Sequence, residues 1–196
     1  MQQARKLVLA SGSRYRRELL ARLGLAFETC SPAVDEQALP AEAPAETAAR
    51  LAQRKAQAVA ARFADALIIG SDQVASCGSQ RLGKPGDHAT AARQLRSLSG
   101  KVAEFHTAVA LLDAATRAMQ CRVVACRVVF RRLSDERIEA YLRREQPYDC
   151  AGSARAEGLG IALIARIETD DPTSLVGLPL IALTEMLERA AQPVLP

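Results

Sequence analysis

The sequence has few of the residues from which several kinds of functional site are built. It contains no tryptophan, only two histidines, and an aromatic fraction of 4%. Of its 26 basic residues only four are lysines, and the arginines are scattered along the chain. A nucleic-acid-binding protein usually concentrates its basic residues in a stripe and adds aromatics that stack on bases. The sequence therefore argues against a stable nucleic-acid interface, and two histidines are too few for a histidine-based metal site.

Cysteine and long apolar runs are also scarce. The five cysteines form an odd set without CxxC spacing, which argues against both a zinc site and a secreted disulfide framework. No apolar run approaches the ~20 residues of a membrane-spanning helix, and the first residues do not resemble a signal peptide. We therefore expect a cytoplasmic protein that does not contact membranes.

What the sequence does contain is enough apolar material for a substantial core. The chain is 49% hydrophobic and carries a net charge of +4 over 196 residues. A chain of this length buries roughly 70% of the surface that it exposes when unfolded, so it needs no metal or disulfide to fold. With no linker and no internal repeat, we predict a single domain covering residues 1–196.

Apolar segments of strand and helix type alternate along the chain. This alternation predicts an α/β fold, with a mixed, twisted sheet flanked by helices. The predicted strands are 7–10, 26–30, 67–69, 102–112, 119–133 and 160–167, with 76–86 as a loop or hairpin. The predicted helices run from Ser13 to Gly24, over 45–62 and 87–97, from Ser134, and over 180–190.

Three polar clusters follow predicted strands, where ligands of open α/β sheets gather. They are residues 11–17, 70–73 and 152–158. The first is a small-residue turn that leads into a helix, so its backbone N–H groups, with Arg16 and Arg17, would attract a phosphate. The alternative is an ordinary capped helix with solvated arginines.

Acidic residues at two places in the sequence could hold a metal. Asp72 ends an apolar strand, where an unpaired carboxylate would be costly to bury, and Asp35 and Glu36 lie in the loop after another strand. Magnesium commonly binds one or two carboxylates together with substrate phosphate oxygens. The alternative is that these acids only cap or solvate their loops.

The Gly78-to-Lys84 segment has the glycine and lysine spacing of a Walker A loop, but the next residue is Pro85 where serine or threonine should hold magnesium. We therefore reject a P-loop. Lys84 remains a lone cation on a glycine-rich loop that could reach a phosphate.

Seven short segments, in order along the whole chain, resemble the motifs of the Maf family of nucleotide pyrophosphatases. They are residues 9–20, 34–36, 52–56, 69–74, 83–85, 151–158 and 171–180. The resemblance implies a fold like that of inosine triphosphatases, with the active site in a central cleft. It also implies hydrolysis of a nucleoside triphosphate between its α and β phosphates, with Mg²⁺, Mn²⁺ or Co²⁺ as the divalent cation.

The resemblance also assigns roles to individual residues. Glu36 and Asp72 would bind the metal, and Asp72 would orient or deprotonate the attacking water. The residues that would hold the triphosphate or supply catalytic cations are Ser11, Ser13, Arg16, Lys55 and Lys84.

Within the family, the sequence resembles the branch that acts on 7-methyl-GTP. Asp72 is followed by Gln73 rather than threonine, and Tyr15, Gln73 and Glu157 fall on positions that distinguish the branches. A 7-methylguanine ring carries positive charge, so an aromatic face would gain a cation–π interaction with it. Two departures from the family pattern are Arg14, where proline is usual, and Ala108, where glycine is common.

Three alternatives stay open at this point. The chain could be a dTTP/UTP pyrophosphatase of the same family, or a triphosphatase for other modified nucleotides. It could also be a non-catalytic nucleotide- or nucleic-acid-binding regulator of septum formation. A homodimer is compatible with the sequence but is not required by it.

Overall fold

A computed structural model describes residues 5–195, which alternate between strands and helices as the sequence predicts. The strands are β1 (Leu7–Ala10), β2 (Glu28–Thr29), β3 (Leu67–Cys77), β4 (Gln80–Leu82), β5 (Val102–Asp113), β6 (Met119–Phe130) and β7 (Ile164–Thr169). The helices are α1 (Arg14–Ala21), α2 (Pro44–Ala60), α3 (His88–Leu98), α4 (Asp135–Glu145) and α5 (Leu180–Arg189).

The strands form one mixed sheet, which confirms the predicted fold class. The seven strands follow the order β2-β1-β3-β5-β6-β7, and β4 pairs with β3 off this path. β1 lies parallel to both β2 and β3, whereas β3 with β4 and β6 with β7 are antiparallel. Within residues 5–195, no helix has both the length and the apolar character needed to cross a membrane.

The chain divides into two compact units, each made of more than one segment. The first unit comprises residues 5–73, 107–124 and 171–195, and the second comprises residues 74–106 and 125–170. Three of the four boundaries fall within β3, β5 and β6, so each of these strands contributes residues to both units, and the fourth follows β7.

The first unit has a hydrophobic cluster on each face of β1, because successive side chains of a strand point to opposite faces. Leu7 and Leu9 belong to the cluster that includes the buried leucines of α1 and α5. Val8 and Ala10 belong to the other cluster, with Val59 of α2. β1 is thus buried on both faces, which explains its uninterrupted apolar sequence.

The second unit brings α3 against α4. Gly152 adopts a positive φ of 71° in the turn after α4, where a side-chain Cβ would meet Phe105 and Leu82 at 3.6 and 3.7 Å. Gly152, at the start of the 152–158 segment, is therefore packed against apolar side chains of its own unit.

Two of the predicted strands are wrong by more than three residues at one boundary. The strand predicted to end at Ile69 continues to Cys77, so the 70–73 cluster lies within β3 rather than beyond it. The strand predicted over 160–167 begins only at Ile164, because Leu159–Leu163 form a 3₁₀ helix. Pairing with β4 extends β3, since Ala75 lies opposite Leu82.

Candidate active site

The turn between β1 and α1 is built by two serine hydroxyls. Ser13 is the N-cap of α1, and its side chain accepts a hydrogen bond from the backbone N–H of Arg16 at 3.4 Å. The buried Ser11 hydroxyl accepts from the Ser13 N–H at 3.1 Å. Each hydroxyl oxygen serves the turn as an acceptor and keeps its proton as a donor. Together with the positive end of the helix, this turn suits an anion.

Arg16 is fixed by a carbonyl from the far end of the sequence. Its Nε donates to the Gly177 carbonyl at 2.8 Å, and the buried Ser71 hydroxyl donates to the same oxygen at 2.9 Å. Burial lowers the pKa of the guanidinium, while the negative charges of Asp72 and Glu36 act in the opposite direction. Arg16 therefore carries its charge within electrostatic reach of both carboxylates.

The loop that presents Gly177 is held by the buried Asp171. Its carboxylate accepts from the Thr173 N–H at 3.1 Å and from the Thr173 hydroxyl at 2.6 Å. The other carboxylate oxygen accepts from the N–H groups of Ile181 and Ala182 at the start of α5, at 2.8 and 3.3 Å. Asp171 thus ties the loop to the helix N-terminus, where a negative charge is favourable.

Lys55 joins the two acidic residues that were predicted to bind a metal. Its Nζ lies 2.6 Å from Asp72 Oδ1 and 2.6 Å from Glu36 Oε1. The side chains of Lys55 and Asp72 are 7% and 9% exposed, whereas that of Glu36 is 62% exposed. A Cβ at Gly70 would collide with the Ala52 carbonyl, so the glycine lets α2 approach β3 closely enough for this contact.

The environment of Asp72 changes the proton affinity of its carboxyl group. Burial raises the pKa of Asp72 above its usual range, and this effect exceeds the opposing influence of Lys55 and Arg16; the nearby Glu36 raises it further. A carboxylate with a raised pKa is a better proton acceptor from water than an ordinary one. Asp72 therefore has the properties of a general base that is held in one orientation by Lys55.

Gln73 uses its amide nitrogen within the protein. The Nε2 atom lies 2.9 Å from the Thr107 hydroxyl, 2.9 Å from the Ser174 carbonyl and 3.1 Å from the Leu175 carbonyl. Two carbonyl acceptors require a donor opposite them, so the amide can face them only with its nitrogen. Any ligand of Gln73 would therefore meet its carbonyl oxygen, which accepts hydrogen bonds.

Tyr15 already holds a cation at its ring. The guanidinium carbon of Arg14 lies 4.7 Å from the ring centroid, and Arg14 Nη2 donates to the Tyr15 hydroxyl at 2.6 Å. The departure from proline at position 14 thus places a positive charge at this aromatic side chain. The second departure, Ala108, is fully buried in β5.

Lys84 and Glu157 belong to the second unit. Lys84 is exposed, while the following Pro85 is buried. Glu157 Oε1 lies 3.3 Å from Nε of Arg155, whose Nη1 lies 3.0 Å from Oε1 of the largely buried Glu145. The first unit therefore contains Ser11, Ser13, Tyr15, Arg16, Glu36, Lys55, Asp72 and Gln73, and the second unit contains Lys84 and Glu157. Within the first unit, direct contacts or electrostatic interactions join Arg16, Glu36, Lys55 and Asp72.

Comparison with known proteins identifies the family. Residues 6–190 match the family described as Maf-like protein. The chain belongs to the Maf family. It is 58% identical over 189 residues to the 7-methyl-GTP pyrophosphatase of Thiobacillus denitrificans, covering 96% of this chain and 94% of the relative. It is 55% identical over 188 residues to the protein of the same name from Cupriavidus pinatubonensis, with the same coverage of both chains.

A third relative gives the same result. The 7-methyl-GTP pyrophosphatase of Nitrosococcus oceani is 55% identical over 189 residues, covering 96% of this chain and 95% of the relative. The resemblance to the Maf family and to its 7-methyl-GTP branch, inferred from short motifs, is thereby confirmed.

The acidic residues of this Maf protein fit a divalent cation with an incomplete protein ligand set. Residues 5–195 contain no group of three or more histidine, cysteine, aspartate or glutamate side chains that could hold a metal. However, Glu36 and Asp72 each place an oxygen 2.6 Å from the same ammonium nitrogen, so these oxygens are at most twice that distance apart. Mg²⁺ commonly binds one or two carboxylates and takes its remaining ligands from water and substrate phosphates. A cation held by both of these oxygens would take the place of the Lys55 ammonium between them.

Sequence reasoning gave no role to three residues that shape this Maf site, although two of them lie within the family motifs. Asp171 and Ser71 are buried and determine where the Gly177 carbonyl lies. Arg50 holds the loop that follows Glu36, through a hydrogen bond to the Gln37 carbonyl. The sequence could have indicated a buried acid at Asp171, because this residue precedes a proline and an apolar helix. Nothing in the sequence near Ser71 and Arg50 indicates their roles in a comparable way.

Proposed function

We propose that this chain is a nucleoside triphosphate pyrophosphatase that hydrolyses the α–β phosphoanhydride, and that 7-methyl-GTP is its preferred substrate. The observation that carries the proposal is the buried pair of Asp72 and Lys55, with Arg16 and Glu36 in electrostatic contact. A regulator that only bound nucleotides would have no need of a carboxylate with a raised pKa beside these cations. The names of the relatives support the choice of substrate.

In the proposed reaction, Asp72 accepts a proton from a water molecule as the water oxygen attacks the α phosphorus. The bond between that phosphorus and the bridging oxygen breaks, and pyrophosphate leaves with the electron pair. Lys55 keeps the Asp72 carboxylate in place through Oδ1, which leaves Oδ2 for the water. The products are the nucleoside monophosphate and pyrophosphate.

The phosphates would be bound by the turn after β1 and by the nearby cations. Ser11 and Ser13 would donate their hydroxyl protons, and Arg16 and Lys55 would supply positive charge, with Lys84 as a further cation. Phosphoryl transfer depends mainly on such positioning and on neutralising oxygen charge. Glu36 and Asp72 would hold Mg²⁺, Mn²⁺ or Co²⁺, which neutralises phosphate charge when it is bound.

Three residues would select the base. The Tyr15 ring would bind the positively charged 7-methylguanine ring through a cation–π interaction, in place of the Arg14 guanidinium that it contacts now. The Glu157 carboxylate would accept hydrogen bonds from the guanine edge, and the Gln73 carbonyl oxygen offers another acceptor. We further propose that the enzyme acts in the cytoplasm, since its five cysteines are free thiols, as is usual in a reducing compartment.

The test is pyrophosphate release from 7-methyl-GTP, GTP, dTTP and UTP, each with Mg²⁺, Mn²⁺ and Co²⁺. We expect 7-methyl-GTP to have the highest kcat/KM. Hydrolysis in ¹⁸O-labelled water should place the label in the monophosphate, because the water attacks the α phosphorus. The Asp72→Asn variant should lose about 10²–10⁴-fold in kcat, the usual contribution of a general base.

Asp65→Asn, at an exposed aspartate of the same unit, is the matched control and should keep full activity. Faster turnover of dTTP or UTP would overturn the substrate assignment in favour of the other branch. Absence of pyrophosphate release from any nucleotide with any of the metals would overturn the enzymatic assignment and favour a nucleotide-binding regulator. Substantial activity in Asp72→Asn would show that Asp72 is not the base.

A further inference from the structure

Glu36 lies on a segment that has no regular secondary structure. Residues 30–43, between β2 and α2, contain neither a helix nor a strand. The Glu36 side chain is 62% exposed, yet its Oε1 lies 2.6 Å from the buried Nζ of Lys55. Holding an exposed side chain on an irregular segment in one place costs conformational entropy. Other contacts of the segment must therefore offset this cost.

The Glu42 carboxylate binds the end of this segment to α2. Its Oε1 accepts from Arg50 Nε at 2.6 Å, and its Oε2 accepts from Arg50 Nη2 at 2.8 Å. Oε2 also accepts from the Leu39 N–H at 3.1 Å and from the Thr47 hydroxyl at 2.8 Å. A bidentate arginine–carboxylate pair fixes orientation as well as distance.

Arg50 also reaches the beginning of the segment. Its Nη2 donates to the Gln37 carbonyl at 3.0 Å, one residue after Glu36. The side chains of Arg50 and Glu42 are 20% and 9% exposed, so the contact between these two side chains is partly buried. One guanidinium thus ties both ends of residues 37–42 to α2, the helix that carries Lys55.

The pair of Arg50 and Glu42 stays charged over the whole working pH range. The hydrogen bond from Arg50 is the main cause that lowers the pKa of Glu42 to about 2. The same hydrogen bond is the main cause that raises the pKa of Arg50, and the negative charges of Asp35 and Asp72 contribute. Both side chains therefore keep their charges in this range, and the contact is not a pH switch.

We propose that Arg50 is a positioning residue, which acts through Glu42 and Gln37 to keep Glu36 close to Asp72 and so sets the affinity of the site for its divalent cation. The proposal rests on the proposed function, because it takes Glu36 as a metal-binding residue. Lysine should not replace Arg50, because a single ammonium cannot make the two-pronged contact with Glu42 while it also reaches the Gln37 carbonyl. The helix α2 then acts as a common support for Lys55 and Glu36.

The first measurement tests the contact itself. Hydrogen exchange of the peptide covering residues 36–43 should be at least tenfold faster in Arg50→Met than in the wild type. Arg54→Met removes an exposed arginine one turn further along α2 and should leave this exchange unchanged. Equal exchange in Arg50→Met and wild type would overturn the proposal.

The second measurement tests the effect on the metal. We expect the Mn²⁺ concentration that gives half-maximal pyrophosphate release to rise about tenfold in Arg50→Met and Arg50→Lys. The kcat at saturating Mn²⁺ should stay within threefold of the wild-type value, and Arg54→Met should match the wild type. In a Glu36→Gln background, Arg50→Met should cause no further change, since Arg50 acts through Glu36.

The outcomes separate this proposal from the proposed function. A loss of kcat without a change in Mn²⁺ dependence, or an equal effect of Arg50→Met with and without Glu36, would overturn the positioning role. If the wild type releases no pyrophosphate, the proposed function fails, and Mn²⁺ binding to the free protein, measured by electron paramagnetic resonance, decides the positioning role. Binding that is weaker in Arg50→Met would support it, and absent binding or binding independent of Arg50 would overturn it.

Discussion

Replacing Lys55 with methionine should lower the folding stability of the protein, mainly because the buried charge of Asp72 loses the ammonium group that contacts it. Methionine keeps an unbranched apolar chain in place of the lysine stem but removes the ammonium group. That group lies 2.6 Å from both Asp72 and Glu36, whose side chains are 9% and 62% exposed. The variant therefore leaves one buried and one solvated carboxylate without their cation.

The size of the loss can be bounded from these exposures. Removing one partner of a buried ion pair costs about 3–5 kcal/mol, whereas an exposed pair contributes about 1 kcal/mol or less. The loss is limited further because Asp72 can bind a proton and so lose its charge. Given an unfolded pKa of about 3.9 and 1.36 kcal/mol for each pKa unit, its buried charge costs at most about 4 kcal/mol at pH 7 and about 1.5 kcal/mol at pH 5.

The pH dependence has a definite sign. Burial already raises the pKa of Asp72 in the folded protein, and loss of Lys55 raises it further above the unfolded value. The folded state then binds a proton more tightly than the unfolded state, so the stability of the variant falls as the pH rises through this range. We expect Lys55→Met to lose about 2–4 kcal/mol at pH 7 and no more than about 1.5 kcal/mol at pH 5.

Urea unfolding followed by circular dichroism at both pH values measures this loss. Adding Asp72→Asn to Lys55→Met removes the buried charge and should restore most of the stability at pH 7. Lys101→Met, at an exposed lysine, should unfold like the wild type. An equal loss at pH 5 and pH 7, or a double variant no more stable than Lys55→Met, would refute the reasoning.

Two further predictions concern packing and the acid range. Gly70→Ala should lower the unfolding free energy by about 1–3 kcal/mol, because the added Cβ collides with the Ala52 carbonyl. The control is Gly83→Ala, because nothing lies within 4 Å of a Cβ added there. Equal urea midpoints for the two variants would contradict the prediction. Arg5→Met should lower the unfolding free energy by at most about 1 kcal/mol at pH 7. The hydrogen bond from Arg5 is the main cause that lowers the pKa of Asp113. That difference should shrink below about pH 4, because the unfolded state then binds a proton at Asp113 while the folded state resists it, and a constant difference down to pH 2 would disprove the pairing.

Local signals were sufficient for much of the fold. Ser13, Asp87 and Ser134 each precede a helix, and each caps it by accepting a backbone N–H. The period of apolar residues likewise separated strands from helices. These features depend on neighbours within a few residues of sequence, so the sequence displays them directly.

The extent of β3 depends on distant partners. Its polar residues after Ile69 were interpreted as the end of a strand, because glycine, serine and aspartate are rare inside one. In the structure, Asp72 is held by Lys55 of α2, and Ala75 pairs with Leu82 of β4. Tertiary contacts thus keep the chain extended where local preference would end the strand.

The candidate site shows the same limit. The motifs located Lys55, Asp72 and Glu36, which the structure brings into direct contact. They did not indicate that Arg50 holds the Glu36 segment or that the Gly177 carbonyl receives Arg16. Supporting residues of this kind are recognised by their geometry, since arginines and glycines occur throughout the sequence.

The core that joins Leu7 and Leu9 to Leu183 and Leu187 has a consequence for synthesis on the ribosome. At about 5–20 residues per second, the stretch between these leucines takes roughly 10–30 s to be made. The segments of the second unit, residues 74–106 and 125–170, have all been synthesised before the leucines of α5. During this interval the cluster that covers one face of β1 lacks the leucines of α5. A nascent chain that stops before residue 180 would therefore present this strand to chaperones while containing every residue of the second unit.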